Sequence, residues 1–269
     1  MLRRRQEDHV MQNRGARVKR IPFPPARRFV VMAMRSGRNA APMHGLVQVD
    51  VTEPIARIRE DPRATLTAYL TASVGRAAAQ HPAVHAYRDF LGRLVQHEEV
   101  AISTIVEVAT SDGPFPLAHV VRNAQGRSVG DIAEEIHTVK TRPRGSRSGR
   151  WLDKLAVPLS RVPLLLRLFY WFVARSATAR RGIGTVTLTS VGMFLGGSGH
   201  GIGVQTIMPL TVLIGGVNER PWIVDGEIVV RRILDLTVSI DHNVVDGAPA
   251  ARFGATLRRL LESGAVLDE

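Results

Sequence analysis

The sequence predicts an α+β fold, a layered domain built from interspersed strands and helices, and three observations carry that prediction. Apolar runs of period two and runs of helical period follow one another along the chain, but without the strict strand–helix–strand rhythm of a doubly wound sheet. The chain has 269 residues, enough for one large domain that buries roughly three quarters of its unfolded surface. It contains no cysteine, so packing alone must hold the core, with no disulfide, thiolate zinc site or catalytic protein thiol.

Taken in order, residues 1–20 ("MLRRRQEDHVMQNRGARVKR") stay polar and basic and lack the apolar region of a secretory signal. They read as a flexible basic leader ahead of a single domain over residues 21–269, and the chain reads as cytoplasmic. "GLVQVDVT" (45–52) alternates with period two and predicts a strand, and "ATLTAYLTASVGRAAAQHP" (64–82) predicts a helix stopped near His81-Pro82. "VAISTIVEVAT" (100–110) predicts a strand ending at the turn signal "SDGP", and "SVGDIAEEIHTVKTR" (128–142) a helix capped by Ser128. "VPLLLRLFYWFVA" (162–174) is too short, and too interrupted by Arg167, for the ~18 to 20 residues of a spanning helix. Its apolar residues surround almost the full helical circle, which predicts a helix covered by the domain or a neighbouring subunit, with peripheral contact at a membrane interface as the alternative. "GTVTLTSVG" (184–192) and "LTVLIGGV" (210–217) predict strands. So does "IVVRRILDLTVSID" (228–241) beyond the turn "DGE", and a last helix runs from about Ala248 to Leu261.

The formal net charge of +12 is almost all arginine, since Lys19, Lys140 and Lys154 are the only lysines. One basic cluster lies in the leader and a second runs from Lys140 to Arg181. Such clusters attract phosphate-bearing partners of any kind, but no aromatic residues interleave with the arginines of the leader, so a nucleic-acid partner is not expected. "GMFLGGSGHGIG" (192–203) lacks the following helix and distal acid of a dinucleotide fingerprint and reads as a flexible loop. His200 is isolated from other ligand types and residues 241–246 show no zinc spacing, so no metal is expected.

"SIDHNVVDG" (239–247) is the segment most suggestive of chemistry. Alternation puts Leu236, Val238 and Ile240 on one face of a strand, and a helix follows, so His242 to Gly247 form the turn between them. A histidine there can act as a base if one ring nitrogen is tied down, and its ordinary pKa of about 6.5 suits proton transfer near neutrality. Asp246 would anchor the turn, and Gly247 would relieve the backbone at the bend.

"DHNVVDGAPAARF" resembles the signature of the catalytic domain of the dihydrolipoyl acyltransferases of 2-oxoacid dehydrogenase complexes, whose His-x-x-x-Asp-Gly motif and fold are shared with chloramphenicol acetyltransferase. Further segments follow in the family's order. "RRFVVMAMRSGRNAAPMHGLVQVDVTEPIARIR" resembles the first block and "TLTAYLTASVGRAAAQHPAVHAY" the helix after it. "VAISTIVEVATSDGPFPLAHVVRNAQGRSVGDIAEEI" resembles the central strand and helix, and "GTVTLTSVGMFLGG" the hydroxyl-bearing strand. The resemblance covers residues 26–142 and 183–262. It implies a chloramphenicol acetyltransferase-like mixed sheet flanked by helices, a homotrimer, and acyl transfer between coenzyme A and a dihydrolipoyl-type thiol or other small acceptor. His242 would be the general base, with Asp246 as its catalytic neighbour and Thr189 as the hydroxyl donor to the oxyanion, base and hydroxyl coming from different chains. Ser190, Asn243 and Gly247 would line the substrate.

Three departures accompany the resemblance. Asn243 stands where the family usually has arginine. No lipoyl domain or long Ala/Pro linker is found before the catalytic part, which implies a lipoyl group supplied in trans. Residues 143–182 form an apolar and basic insert, and the chain ends "ESGAVLDE" without the apolar tail of cage-forming relatives, which implies a free trimer. The competing reading is a non-catalytic trimeric scaffold or membrane-associated interaction module that keeps the fold.

Overall fold

A computed structural model describes residue 23 and residues 25–110, 113–142, 162–192 and 197–268. The leader and residues 143–161 of the insert lie outside the described residues. Helix α1 (Pro25–Ser36) leads into strand β1 (Pro42–Asp50) and helices α2 (Thr52–Glu60) and α3 (Leu66–Gln80). A small hairpin, β2 (Tyr87–Arg88) and β3 (Leu94–Val95), precedes β4 (Ile102–Thr110), β5 (Gly113–Val121) and α4 (Val129–Thr141). Helices α5 (Pro163–Arg175) and α6 (Ala177–Ile183) then lead to β6 (Val186–Ser190), β7 (Leu210–Val224), β8 (Glu227–Asp241) and α7 (Gly247–Ser263).

The large sheet has the order β1-β8-β7-β6-β4-β5. It is mixed: β6 runs parallel to both β4 and β7, and the other neighbours are antiparallel. One face carries the core, where Val186, Leu188, Leu210, Val212, Leu234 and Leu236 pack with Tyr69 and Leu70 of α3 and Phe253 and Leu257 of α7. The caps follow local chemistry. Thr65 accepts from the Ala68 N–H to start α3, and Ser128 accepts from the Asp131 N–H to start α4. The Tyr69 hydroxyl ties α3 to α7 by donating to the Leu261 carbonyl at 2.8 Å.

The opposite face of the sheet is polar. It holds Thr187 and Thr189 of β6, Thr211 of β7, and Asp235, Thr237 and Ser239 of β8, because these alternate with the core residues. Residues 197–208 run over part of this face.

Several expectations change. Residues 113–114 belong to β5 rather than to a turn; Pro114 and Pro116 hide the strand in the sequence, yet β5 is an edge, where a missing N–H costs no ladder bond. Strand β7 continues past 217 to Val224, with a register shift at Gly215-Gly216. Asp225 and Gly226 take φ of 52° and 88°, the left-handed pair that closes a tight hairpin. Residues 197–203 of the glycine-rich stretch form a loop, and that loop is pinned. A Cβ on Gly215 would lie 2.3 Å from the Gly199 carbonyl oxygen and one on Gly216 2.0 Å from that of Gly197, so glycine lets two backbones touch.

Helix α5 spans the apolar run but is covered on one stripe only. Leu166, Tyr170 and Val173 are buried, while Leu164, Leu168 and Phe172 face outward and Trp171 is 52% exposed. The domain itself therefore does not supply the whole cover that the sequence predicts. Among the described residues no helix is long and apolar enough to cross a membrane.

Candidate active site

The turn at 241–246 is built from the backbone and from one carboxylate, that of Asp241. One of its oxygens accepts from the Ala41 N–H at 3.0 Å, the Asn243 N–H at 3.0 Å and the Asn243 side-chain amide at 2.9 Å. The Asn243 amide also donates to the Asn39 carbonyl at 2.9 Å. The His242 N–H donates to the Ala41 carbonyl at 2.8 Å, continuing the β1–β8 ladder by one residue. The Val244 and Val245 N–H groups both donate to the Asp241 carbonyl, and the buried Val245 roots the turn in the core. The histidine backbone is thereby fixed on three sides, while its side chain is 49% exposed.

Asp246 does not anchor this turn within the chain. Its carboxylate is 88% exposed and comes no nearer than 3.8 Å to His242 Nδ1, too far for a hydrogen bond. Asp241 has that role, and sequence reading missed it because an acid ending a strand looks like an ordinary surface residue. Gly247 starts α7 with φ outside the left-handed region, and a Cβ there would meet nothing within 4 Å. Nothing in the described chain demands glycine at that position. Asn243 spends its amide donors on holding the turn, so its first contribution is geometric.

Thr189 and Ser190 separate cleanly by strand parity. Thr189 lies on the polar face with Thr187, whereas Ser190 shares the parity of the core residues Val186 and Leu188 and ends exposed. Thr189 is opposite Leu213, which is opposite Thr237, and His242 lies five residues beyond Thr237 along β8. At ~3.3 Å per residue that is about 17 Å along the strand direction, plus two strand spacings sideways. A single chain therefore does not bring His242 and Thr189 together.

A cleft of about 470 Å³ opens beside the turn, walled by Asp241, Asn243 and Val244 on one side and by Tyr87, Arg175 and Arg180 on the other. Arg180 belongs to the second basic cluster of the sequence but is buried, at 3% exposure. The polar face also holds a charge cluster around the fully buried Asp235, which pairs with Arg220 and accepts from the Gly199 N–H at 2.8 Å, fastening the glycine loop to the sheet. Among the described residues no group of three or more histidine and acidic side chains is arranged to hold a metal ion.

The architecture has close counterparts. It resembles a probable dihydrolipoamide acetyltransferase from Listeria monocytogenes with a TM-score of 0.70 at 22% identity, over 92% of this chain and 96% of that one. It resembles chloramphenicol acetyltransferase with a TM-score of 0.50 at 13% identity, over 89% of this chain and 96% of that one. These likenesses define the class of fold, that of chloramphenicol acetyltransferase. In sequence, the lipoamide acyltransferase component of the branched-chain alpha-keto acid dehydrogenase complex of Pseudomonas putida is 46% identical over 86 residues, 31% of this chain and 19% of that protein. The component of the same name from Bacillus subtilis is 25% identical over 259 residues, 91% of this chain and 52% of that protein. The chain thus spans about half, or less, of the length of these relatives. The family model for the 2-oxoacid dehydrogenases acyltransferase (catalytic domain) matches residues 15–150 and 179–267, and the chain belongs to that family. Residues 151–178, which include the whole of α5, are left unmatched.

Proposed function

We propose that the chain is an acyltransferase that moves an acyl group between coenzyme A and a dihydrolipoyl-type thiol or another small acceptor. The observation that carries this reading is the placement of His242: a half-exposed imidazole on a rigid turn at the end of a sheet, whose neighbours Asp241 and Asn243 line a cleft, in the motif of this family. In the proposed reaction His242 takes the proton of the thiol, the thiolate attacks the thioester carbonyl, and the proton passes to the leaving thiolate. The oxyanion of the intermediate needs a donor, and the Thr189 hydroxyl on the polar face is assigned to it. Because one chain holds these groups far apart, the site is proposed to form between subunits of a homotrimer, with Asp246 and Gly247 facing the neighbouring chain or the substrate. Asp246 then finds its partner outside the chain, which agrees with its exposure here. The roles of a serine, a histidine and an asparagine in catalysis were investigated in the dihydrolipoamide acetyltransferase of Azotobacter vinelandii, another protein of this fold.

The reading extends to a single catalytic domain over residues 21–269 acting in the cytoplasm, where free thiols persist. The test measures thiol release from a panel of acyl-CoAs with dihydrolipoamide, a lipoylated domain added in trans, alcohols and amines. Turnover is expected with a thiol acceptor, and His242→Ala should lower it by about two to four orders of magnitude in a folded protein. An unchanged rate in that variant removes His242 from the mechanism. The second reading, a scaffold or interaction module, rests on the exposed face of α5, and it gains ground if no donor and acceptor pair turns over.

A further inference from the structure

The lining of the cleft beside the His242 turn includes a buried cation, Arg180, with no counterion among the described residues. Arg180 donates from Nε to the Ala174 carbonyl at 3.0 Å and from one terminal nitrogen to the Ile207 carbonyl at 2.8 Å. Its other terminal nitrogen, Nη1, is buried with no hydrogen-bond partner, and among the described residues no carboxylate pairs with it. The guanidinium lies on the face of Tyr87, 4.1 Å from its carbon to the ring centre. Burying an unpaired guanidinium costs more than one aromatic face returns.

The neighbours of Arg180 are unsatisfied in the same way. Among the described residues the Tyr87 hydroxyl, His97 Nε2 and both ring nitrogens of His85 are buried without hydrogen-bond partners. Two of them adjoin the cation directly in a stack: Arg180 lies on Tyr87, and Tyr87 stacks on His97 at 5.6 Å between ring centres. Such groups are almost always satisfied in folded proteins, so a cluster of them points to something that binds there. The cleft wall adds Arg88 and Arg175. Its two acids are already committed: Asp89 to Arg93 and the N–H groups of Leu91 and Arg93, and Asp241 to the turn. The three arginines of the lining, Arg88, Arg175 and Arg180, outnumber its two carboxylates, one of which is already paired with Arg93, so the cleft carries net positive charge.

We infer that the Arg180–Tyr87 pocket in this cleft is a binding site for an oxyanion, a carboxylate or a phosphate. Two sources share this chemistry: the free carboxylate of a dicarboxylic acyl group, and a phosphate of the thiol carrier. A cleft of about 470 Å³ has room for the distal end of either. Binding is read without turnover, so failure here leaves the proposed reaction untouched.

The experiment follows the melting temperature and calorimetric binding of the full chain with inorganic phosphate, succinate, propionate and coenzyme A, with sodium chloride at matched ionic strength as control. Phosphate or succinate is expected to raise the melting temperature at millimolar concentration, with dissociation constants weakened roughly tenfold or more by Arg180→Gln. Succinate acting without phosphate assigns the site to the acyl group; phosphate and coenzyme A acting without succinate assign it to the carrier. Tyr87→Phe, which keeps the ring under Arg180 and removes only the orphan hydroxyl, should weaken binding severalfold, and serves if Arg180→Gln does not fold. The inference is overturned if neither anion exceeds chloride, or if both variants bind as tightly as the parent.

Discussion

At the scale of single residues, the chemistry of the 241–246 turn depends on which carboxylate does the holding. Asp241 accepts three N–H bonds and joins the turn to residues 39–41, whereas Asp246 extends into solvent. Removing a charged acceptor strands three donors, so Asp241→Ala should cost about 1–3 kcal/mol in chemical denaturation and should also lower turnover, because the histidine loses its fixed backbone. Asp246→Asn should leave the stability of the isolated chain within about 0.5 kcal/mol, as an exposed substitution does. A large loss of monomer stability in Asp246→Asn, with none in Asp241→Ala, would show that the roles have been assigned the wrong way round. The same logic covers Asn243: its short amide reaches the Asn39 carbonyl, and holding the turn uses both of its donors.

At the scale of elements, the sheet sorts its side chains by parity, and that separates the two candidate hydroxyls. Thr189 stands on the polar face of β6 and Ser190 does not. Thr189→Ala should therefore reduce turnover by roughly tenfold to a thousandfold with little change in KM, as for a donor that acts mainly in the transition state, and Ser190→Ala should do far less. Steady-state kinetics of the two variants decides this, and the reverse ranking would move the oxyanion donor to Ser190. Helix α5 poses a different question. Its buried stripe, Leu166, Tyr170 and Val173, packs inward, but Trp171 and Phe172 lie against Phe90 of the small hairpin segment and extend the apolar surface outward. A face of this kind on a chain alone invites association. If protein covers it, the chain should ignore vesicles; if lipid covers it, flotation with anionic vesicles should weaken as salt rises. We expect no flotation, and salt-sensitive flotation abolished by Trp171→Glu would show lipid to be the cover.

For the whole molecule, the separation of His242 from Thr189 along the sheet is the main consequence of the fold. A site that needs both groups must draw them from two chains, and that makes a genetic test possible. His242→Ala and Thr189→Ala should each be impaired as pure proteins. When they are mixed and reassembled from denaturant in equal amounts, about a quarter of the sites in a randomly mixed ring receive both native groups, and activity should recover towards that fraction. Size-exclusion chromatography checks that the oligomer reforms, and co-purification through a tag carried by only one of the two variants confirms that it is mixed. No recovery in a confirmed mixed trimer would mean that each site belongs to one chain, and the hydroxyl would have to be sought elsewhere.

Periodicity, caps and turn chemistry determined most of the elements without help, because these are local: Ser128 caps α4, Asp225-Gly226 turns the hairpin, and alternation along 236–240 marks the strand that ends at His242. The motif and its neighbours in order also determined the family, since residue types at fixed spacing survive where overall identity is low. Other features only the tertiary structure decided. Strand β5 was hidden by prolines that an edge tolerates, and the tie of Asp241 to Ala41 spans 200 positions of sequence. Arg180 reads as one more surface charge, because nothing local says that Tyr87, ninety-three positions earlier, will close over it. A sequence can announce its bends and its alternation because each depends on a few adjacent residues. Which charge is buried, which carboxylate is shared and which hydroxyl faces the site depend on chain segments that meet only when the sheet assembles.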